Sequence, residues 1–184
     1  MKRITFTLTT LSIFATLGGC ASQAPANSSG SLTAAAIPAA IAAPTDQKIA
    51  FTWQALGTQI YECKMNEKAE PAWVFIAPEA VLMNAKNEKV GSHGAGPHWM
   101  ALDGSRIVGA VKGRASGAAA QDIPLLLLEV QSSSGQGKMS GIKSIQRINT
   151  QGGQSPAAGC SVAADLGKRN AQGYTSDYVF WVMK

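Results

Sequence analysis

Beyond residue 50 the chain alternates apolar and polar side chains with a period of two, the repeat of a half-buried strand rather than a helix. Residues 57–65 (Gly-Thr-Gln-Ile-Tyr-Glu-Cys-Lys-Met) show it most plainly. Residues 73–76 (Trp-Val-Phe-Ile) predict a second strand, stopped by Pro78, and residues 78–85 leave room for at most one short helical turn. A strand over residues 107–111 follows the Asp103-Gly104 turn. Residues 125–130 are almost continuously apolar, as in a strand buried on both faces. Residues 132–141 (Ser-Ser-Ser-Gly-Gln-Gly-Lys-Met-Ser-Gly) have loop chemistry. Alternation resumes over residues 142–150, placing Ile142 and Ile148 on one face and Lys143, Ile145 and Arg147 on the other. Aromatic and β-branched residues at 178–183 predict a closing strand. The expected fold is all-β: a single antiparallel β-sandwich or barrel-like domain with little helix.

The N-terminal residues have a different pattern. Lys2 and Arg3 precede an uncharged apolar run from Ile4 to Leu17, and Gly18-Gly19-Cys20 ends it. The run has the length of a secretory signal rather than a membrane span. This arrangement resembles a bacterial lipoprotein box. The resemblance implies a signal peptide over residues 1–19, cleavage before Cys20, and acylation of that cysteine. Ala21 and Ser22, with no Asp at either position, then favour anchoring in the outer membrane, with the leaflet left open. From Ala21 to about Asp46, Ala, Pro and Ser dominate and aromatics are absent. A stretch of this kind buries too little surface to offset its ordering entropy. Residues 20–46 are therefore expected to be a flexible tether carrying a β domain over residues 47–184.

Charge and cysteine content narrow the partners. The formal charge of +5 falls by two when Lys2 and Arg3 leave with the signal, and no basic cluster remains to hold nucleic acid. If lipid occupies Cys20, Cys63 and Cys160 are left as an even pair in an oxidising compartment, and a disulfide between them is expected. The competing readings, a reactive thiol or metal ligands, lack a neighbouring Cys or His at ligand spacing.

An ordered series of segments carries a further resemblance. It comprises Gly57-Thr58-Gln59-Ile60-Tyr61-Glu62-Cys63, Phe75-Ile76-Ala77-Pro78-Glu79-Ala80, Gly96-Pro97-His98-Trp99 with Asp103-Gly104-Ser105, Ile123-Pro124 with four leucines, and Ile145-Gln146-Arg147-Ile148-Asn149-Thr150-Gln151-Gly152-Gly153 before Pro156 and Cys160. Over residues 50–182 the chain resembles the bacterial branch of the family catalogued as domain of unknown function 3455. Leu125, where members typically have Trp, and Ser176, where they tend to have Ala, are departures from the family pattern. The resemblance implies no established activity, although some fungal relatives carry a malate dehydrogenase label. Nicotinamide chemistry is not supported here. Gly91, Gly94 and Gly96 have the wrong spacing for a dinucleotide fingerprint, and Gly135 with Gly137 opens no helix. No cofactor is expected.

The richest candidate site is the stretch from Gly91 to Trp99, which holds both histidines, His93 and His98. As metal ligands they would need Asp103 or Glu62 to complete a zinc or copper site. As an acid–base pair, a histidine with Asp103 would activate Ser92 or Ser105. As a plain Gly-Pro turn, the imidazoles would cap backbone carbonyls. Trp99 offers a ligand platform, whereas Trp73 and Trp181 read as core. Arg147 suits a carboxylate ligand or an ion pair with Glu62, Glu79 or Asp177. Asp177, between Tyr174 and Tyr178, reads as a hydrogen-bonded corner. Taken together, the sequence describes an envelope lipoprotein, a membrane-tethered binding or structural β module with no catalytic residue assigned. The candidate ligand-binding residues are His93, His98, Trp99, Asp103 and Arg147. The alternative is a small hydrolase or metal-dependent enzyme centred on the His93/His98 loop.

Overall fold

The computed structural model describes residues 37–184; the expected signal peptide, Cys20 and the first part of the expected tether lie outside the described residues. Eight strands follow in order: β1 (Gln47–Met65), β2 (Pro71–Met83), β3 (Lys89–Gly94), β4 (His98–Ala101), β5 (Arg106–Ala115), β6 (Leu125–Ser134), β7 (Ile142–Gly152) and β8 (Arg169–Met183). Each pairs antiparallel with the next, and β8 pairs back with β1 to close an up-and-down barrel. Closure gives every strand two neighbours and so removes the unpaired edges an open sheet would expose.

Side-chain alternation sorts the barrel into an inside and an outside. On β1, Trp53, Ala55, Gln59, Tyr61 and Cys63 are buried, while Lys48, Thr52 and Gln54 are exposed. One end of the interior is packed solid by aromatic rings. Phe51 stacks on Phe180 with centroids 4.7 Å apart, Trp53 meets Phe180 edge-on at 5.4 Å, and Met139 fills in beside them. The Lys138 ammonium lies 4.4 Å from the Phe51 ring centre, closing that end.

Five expectations are corrected by the tertiary structure. Pro78 does not stop its strand, nor do residues 78–85 form a helical turn, because β2 runs through to Met83. A register shift leaves Ile76 unpaired between Phe75 (opposite Tyr61) and Ala77 (opposite Ile60), and β3 pairs with β2 only from Ala80 onward. A residue without an N–H is tolerated beside a bulge and along an unpaired stretch. On β7 a second shift, between Ile142 and Ser144, reverses the parity. Ile142 and Ile145 consequently share the interior, while Ile148 packs on the outer side with Ile41, Leu127 and Val179.

The other three corrections concern the outer wall and the open end. Residues 37–46, assigned by composition to the tether, are docked on the barrel. Ile41 is fully buried, and its carbonyl accepts a 2.6 Å hydrogen bond from Gln146 Nε2. Trp181 is not interior core either: it packs on this outer cluster and donates Nε1–H to Gln146 Oε1 at 2.9 Å. Gly113 allows the close approach, since a Cβ there would lie 1.9 Å from the Ala40 carbonyl oxygen. Trp73 is likewise only partly buried, and sits at the open end of the barrel, where its Nε1–H reaches the Ala158 carbonyl at 2.9 Å.

Candidate ligand-binding cavity

The end of the barrel opposite the aromatic plug is hollow. The β3–β4 hairpin is short, turning at residues 95–97, and the strands on either side run past it. β2 has no partner on the β3 side before Ala80, and β4 pairs with β5 only over Arg106–Val108. The wall therefore has a window above the hairpin tip, framed by Phe75, Ile76 and Pro78 on β2, Pro97 on the turn, and Val111 and Arg114 on β5. Behind it lies a cavity of about 580 Å³, within the range of sites for small organic ligands.

Loops around the open end are held by a network of bonds. The Cys63–Cys160 disulfide forms as expected, with Cα atoms 5.5 Å apart, and ties the β7–β8 loop to the end of β1. Asp122 is buried between the β5–β6 loop and the end of β7, accepting hydrogen bonds from Gly152 N at 2.7 Å and Ala119 N at 2.9 Å. Tyr61 donates its hydroxyl to the Gly153 carbonyl at 2.8 Å. Arg147 reaches the same loop, giving Nε–H and Nη2–H to the Pro124 carbonyl oxygen at 3.0 and 2.8 Å.

The cavity walls combine Ile123, Leu126 and Leu128 with an unusual set of polar groups: Gln59, His93, Trp99, Arg147 and Tyr178. Gln59 Nε2, Trp99 Nε1 and Tyr178 Oη are buried and have no hydrogen-bond partner. Tyr174 and Ser176, next to them on β8, also have orphaned hydroxyls. Tyr174 approaches Tyr178 and Gln59, and Tyr178 approaches Arg147 and Ser176, closely enough for weak side-chain hydrogen bonds, although none has the geometry of a well-formed one. Native interiors satisfy nearly all such groups, so several converging on one cavity mark a place where a ligand or water completes them.

Ionisation states follow from burial. Desolvation pushes the Tyr61, Tyr174 and Tyr178 phenols up, so each remains a neutral hydroxyl. His93 is held down to about 3, first by burial, with the nearby Arg147 charge adding to the effect. Its neutral ring stacks on Trp99 at 4.5 Å, and its Nδ1–H must be the donor to the His98 carbonyl oxygen, 2.7 Å away. Nε2 is then an acceptor. Arg147 is 9 % exposed and has no carboxylate partner among the described residues. The expected partners are engaged elsewhere or remote: Glu62 pairs with Arg169 and Lys64, and Asp177 accepts from Asn149 Nδ2.

The candidate residues from sequence divide into two groups. His93, Trp99 and Arg147 meet in the cavity. His98 is on the opposite face of the hairpin from His93, its Nδ1 bonded to the Ala95 carbonyl at 2.7 Å. Asp103 lies in the β4–β5 turn at the plugged end, accepting from Ser105 N at 2.9 Å and Lys138 N at 2.7 Å. Those bonds, the Ser105 hydroxyl foremost, hold its carboxyl below the usual range. Hence His93, His98 and Asp103 do not converge, and no group of three or more metal-ligating side chains occurs among the described residues. Ser105 bonds to Asp103, and Ser92 alternates outward onto the face that His98 shares, with no hydrogen bond from either serine to a histidine among the described residues. Gln59 and Tyr178 were missed as site residues. The available signal was parity: Gln59 is a polar residue at an inward position of a strand whose other inward residues are mostly apolar.

A family model described as "Protein of unknown function (DUF3455)" matches residues 44–182. The chain belongs to that family. The match takes in all of the barrel but its last residues, so cavity, window, disulfide and Arg147 are all parts of this DUF3455 domain. No curated protein and no solved structure matches it. The DUF3455 cavity combines apolar walls with polar groups, the buried Arg147 and the exposed Arg114 at its window.

Proposed function

We propose that this protein is an envelope lipoprotein whose barrel binds a small, largely apolar molecule, held at the outer membrane by acyl chains on Cys20. The observation that carries the binding reading is the hollow half of the barrel. A cavity of about 580 Å³ with orphaned Gln59, Trp99 and Tyr178 atoms would cost stability if it served only to support the fold. The lipobox resemblance at Gly18-Gly19-Cys20 supports the anchor, and two or more acyl chains suffice for stable membrane attachment. Titration with the neutral fluorophore N-phenyl-1-naphthylamine tests the cavity: saturable one-to-one enhancement that also quenches tryptophan emission is expected. Absence of saturable binding would favour the rival in which the barrel is a purely structural envelope module. The anchor is tested separately, by incorporation of labelled palmitate that Cys20→Ser abolishes; an unlabelled parent protein would remove that part of the reading.

A further inference from the structure

We infer that the ligand is an amphiphilic acid, with a single anionic head group seated at Arg147 and an apolar body extending along the cavity toward the window. This rests on the reading of the cavity as a binding site. Arg147 projects from β7, across the ring of strands from the β3–β4 hairpin, and is buried without a counter-ion among the described residues. Its bonds to the Pro124 carbonyl use Nε–H and one Nη2–H. That leaves Nη1 and the second Nη2–H for other acceptors, of which the nearby Tyr178 hydroxyl can take no more than part.

The other polar groups of the cavity leave the sign of the charge to Arg147. Gln59 Nε2, Trp99 Nε1 and Tyr178 Oη are unpartnered and can all donate. The Gln59 amide carries an acceptor oxygen beside that donor, the Tyr178 hydroxyl can accept as well as donate, and His93 Nε2 accepts on a ring that burial keeps neutral. Together these groups can serve either role, so the sign is set by the buried Arg147 cation, which is complementary to an anion. Arg147 is the buried cation of the lining and Arg114 an exposed one at the window, so a head group seated at Arg147 meets a single buried guanidinium, which suits a monoanion such as a carboxylate. Apart from Tyr61, Gln154 and Arg114, most of the remaining lining is apolar, from Leu126, Leu128 and Ile123 inside to Phe75, Ile76 and Pro78 at the window. A wholly polar acid would leave those walls uncovered.

The test uses the full chain carrying Cys20→Ser, so that no acyl chain of its own competes for the cavity. Bound N-phenyl-1-naphthylamine is displaced with two matched pairs, decanoate against decanamide and 1-naphthaleneacetate against 1-naphthaleneacetamide. The acid of at least one pair is expected to compete about ten- to a hundredfold better than its amide, the range of one charge-assisted hydrogen-bonding set. Arg147→Met is expected to abolish that preference, and Arg147→Lys to retain part of it. Equal competition by acid and amide in both pairs overturns the anionic head group while leaving the cavity reading intact. A preference that survives Arg147→Met overturns the assignment to Arg147. If Arg147→Met does not fold, the acid–amide comparison on the parent chain still decides the charge, and Arg147→Lys decides the residue. Failure of the fluorophore and both pairs to bind defeats the underlying reading as well.

Discussion

The guanidinium of Arg147 grips the carbonyl oxygen of Pro124 through two N–H groups, at 3.0 and 2.8 Å, and meets no carboxylate among the described residues. One side chain thus fastens the β5–β6 loop at the open end of the barrel and carries an uncompensated charge into its cavity. The first task is structural; the second has a cost that a purely structural residue would not bear.

Replacing Arg147 by Met therefore sets two opposing terms against each other. Loss of the bonds to Pro124 destabilises by about 1.5–3 kcal/mol, whereas relief of an unpaired buried charge stabilises by an amount of the same order. Urea denaturation is expected to show a net change below about 1 kcal/mol, with faster amide exchange over residues 116–124. A loss above about 3 kcal/mol would mark Arg147 as a structural residue first.

Burial of His93 predicts a specific acid sensitivity. Its pKa is depressed in the fold, from 6.5 to about 3, so the unfolded chain binds more protons between those values. Stability from this group is complete above pH 6.5 and falls as the pH drops toward 3. Asp103, also depressed, acts in the same direction but only below its ordinary value of 3.8. The interval from about pH 4 to 6.5 thus reports mainly on His93. His93→Gln is expected to flatten the dependence of the urea midpoint on pH across that interval. An unchanged slope would show that His93 stays neutral in neither state or that another group titrates there.

Cleaving the disulfide should matter at both ends of the chain's length scale. Cys63 and Cys160 are 97 residues apart, which gives a chain-entropy contribution of about 4–5 kcal/mol. The Cys63→Ala/Cys160→Ala double variant is expected to lose much of this in thermal or urea unfolding. The β7–β8 loop retains the Trp73–Ala158 hydrogen bond, so its amide exchange should rise without complete loss of order.

Residues 37–46 are part of the folded unit, and two substitutions check this. Ile41→Ala removes a fully buried side chain from the outer cluster and should cost about 2–4 kcal/mol. Gly113→Ala puts a Cβ onto the Ala40 carbonyl and should expel the segment, making it sensitive to limited proteolysis. If neither variant differs from the parent, the segment contributes nothing to the barrel.

By itself the sequence determined what neighbouring residues can dictate. The period of two made the domain all-β, Gly96-Pro97 and Asp103-Gly104 marked real turns, and the even pair of cysteines found each other. Of the site, His93, Trp99 and Arg147 were legible as chemically capable residues. Tertiary structure decided where those residues face and whom they meet. A bulge on β7 moved Ile145 in and Ile148 out, because one unpaired residue inverts a two-residue period, and nothing in the local pattern announces it. The same holds for the tether: an Ala- and Pro-rich stretch looks too poor in apolar surface to fold, yet Ile41 finds Leu127, Ile148 and Val179 on three different strands. The cavity is a property of no segment. It exists because the β3–β4 hairpin is shorter than the strands flanking it, and its charge stands alone because Glu62 and Asp177 bond elsewhere in space. Voids and missing counter-ions are relations between distant parts of the chain, so only the closed barrel could reveal them.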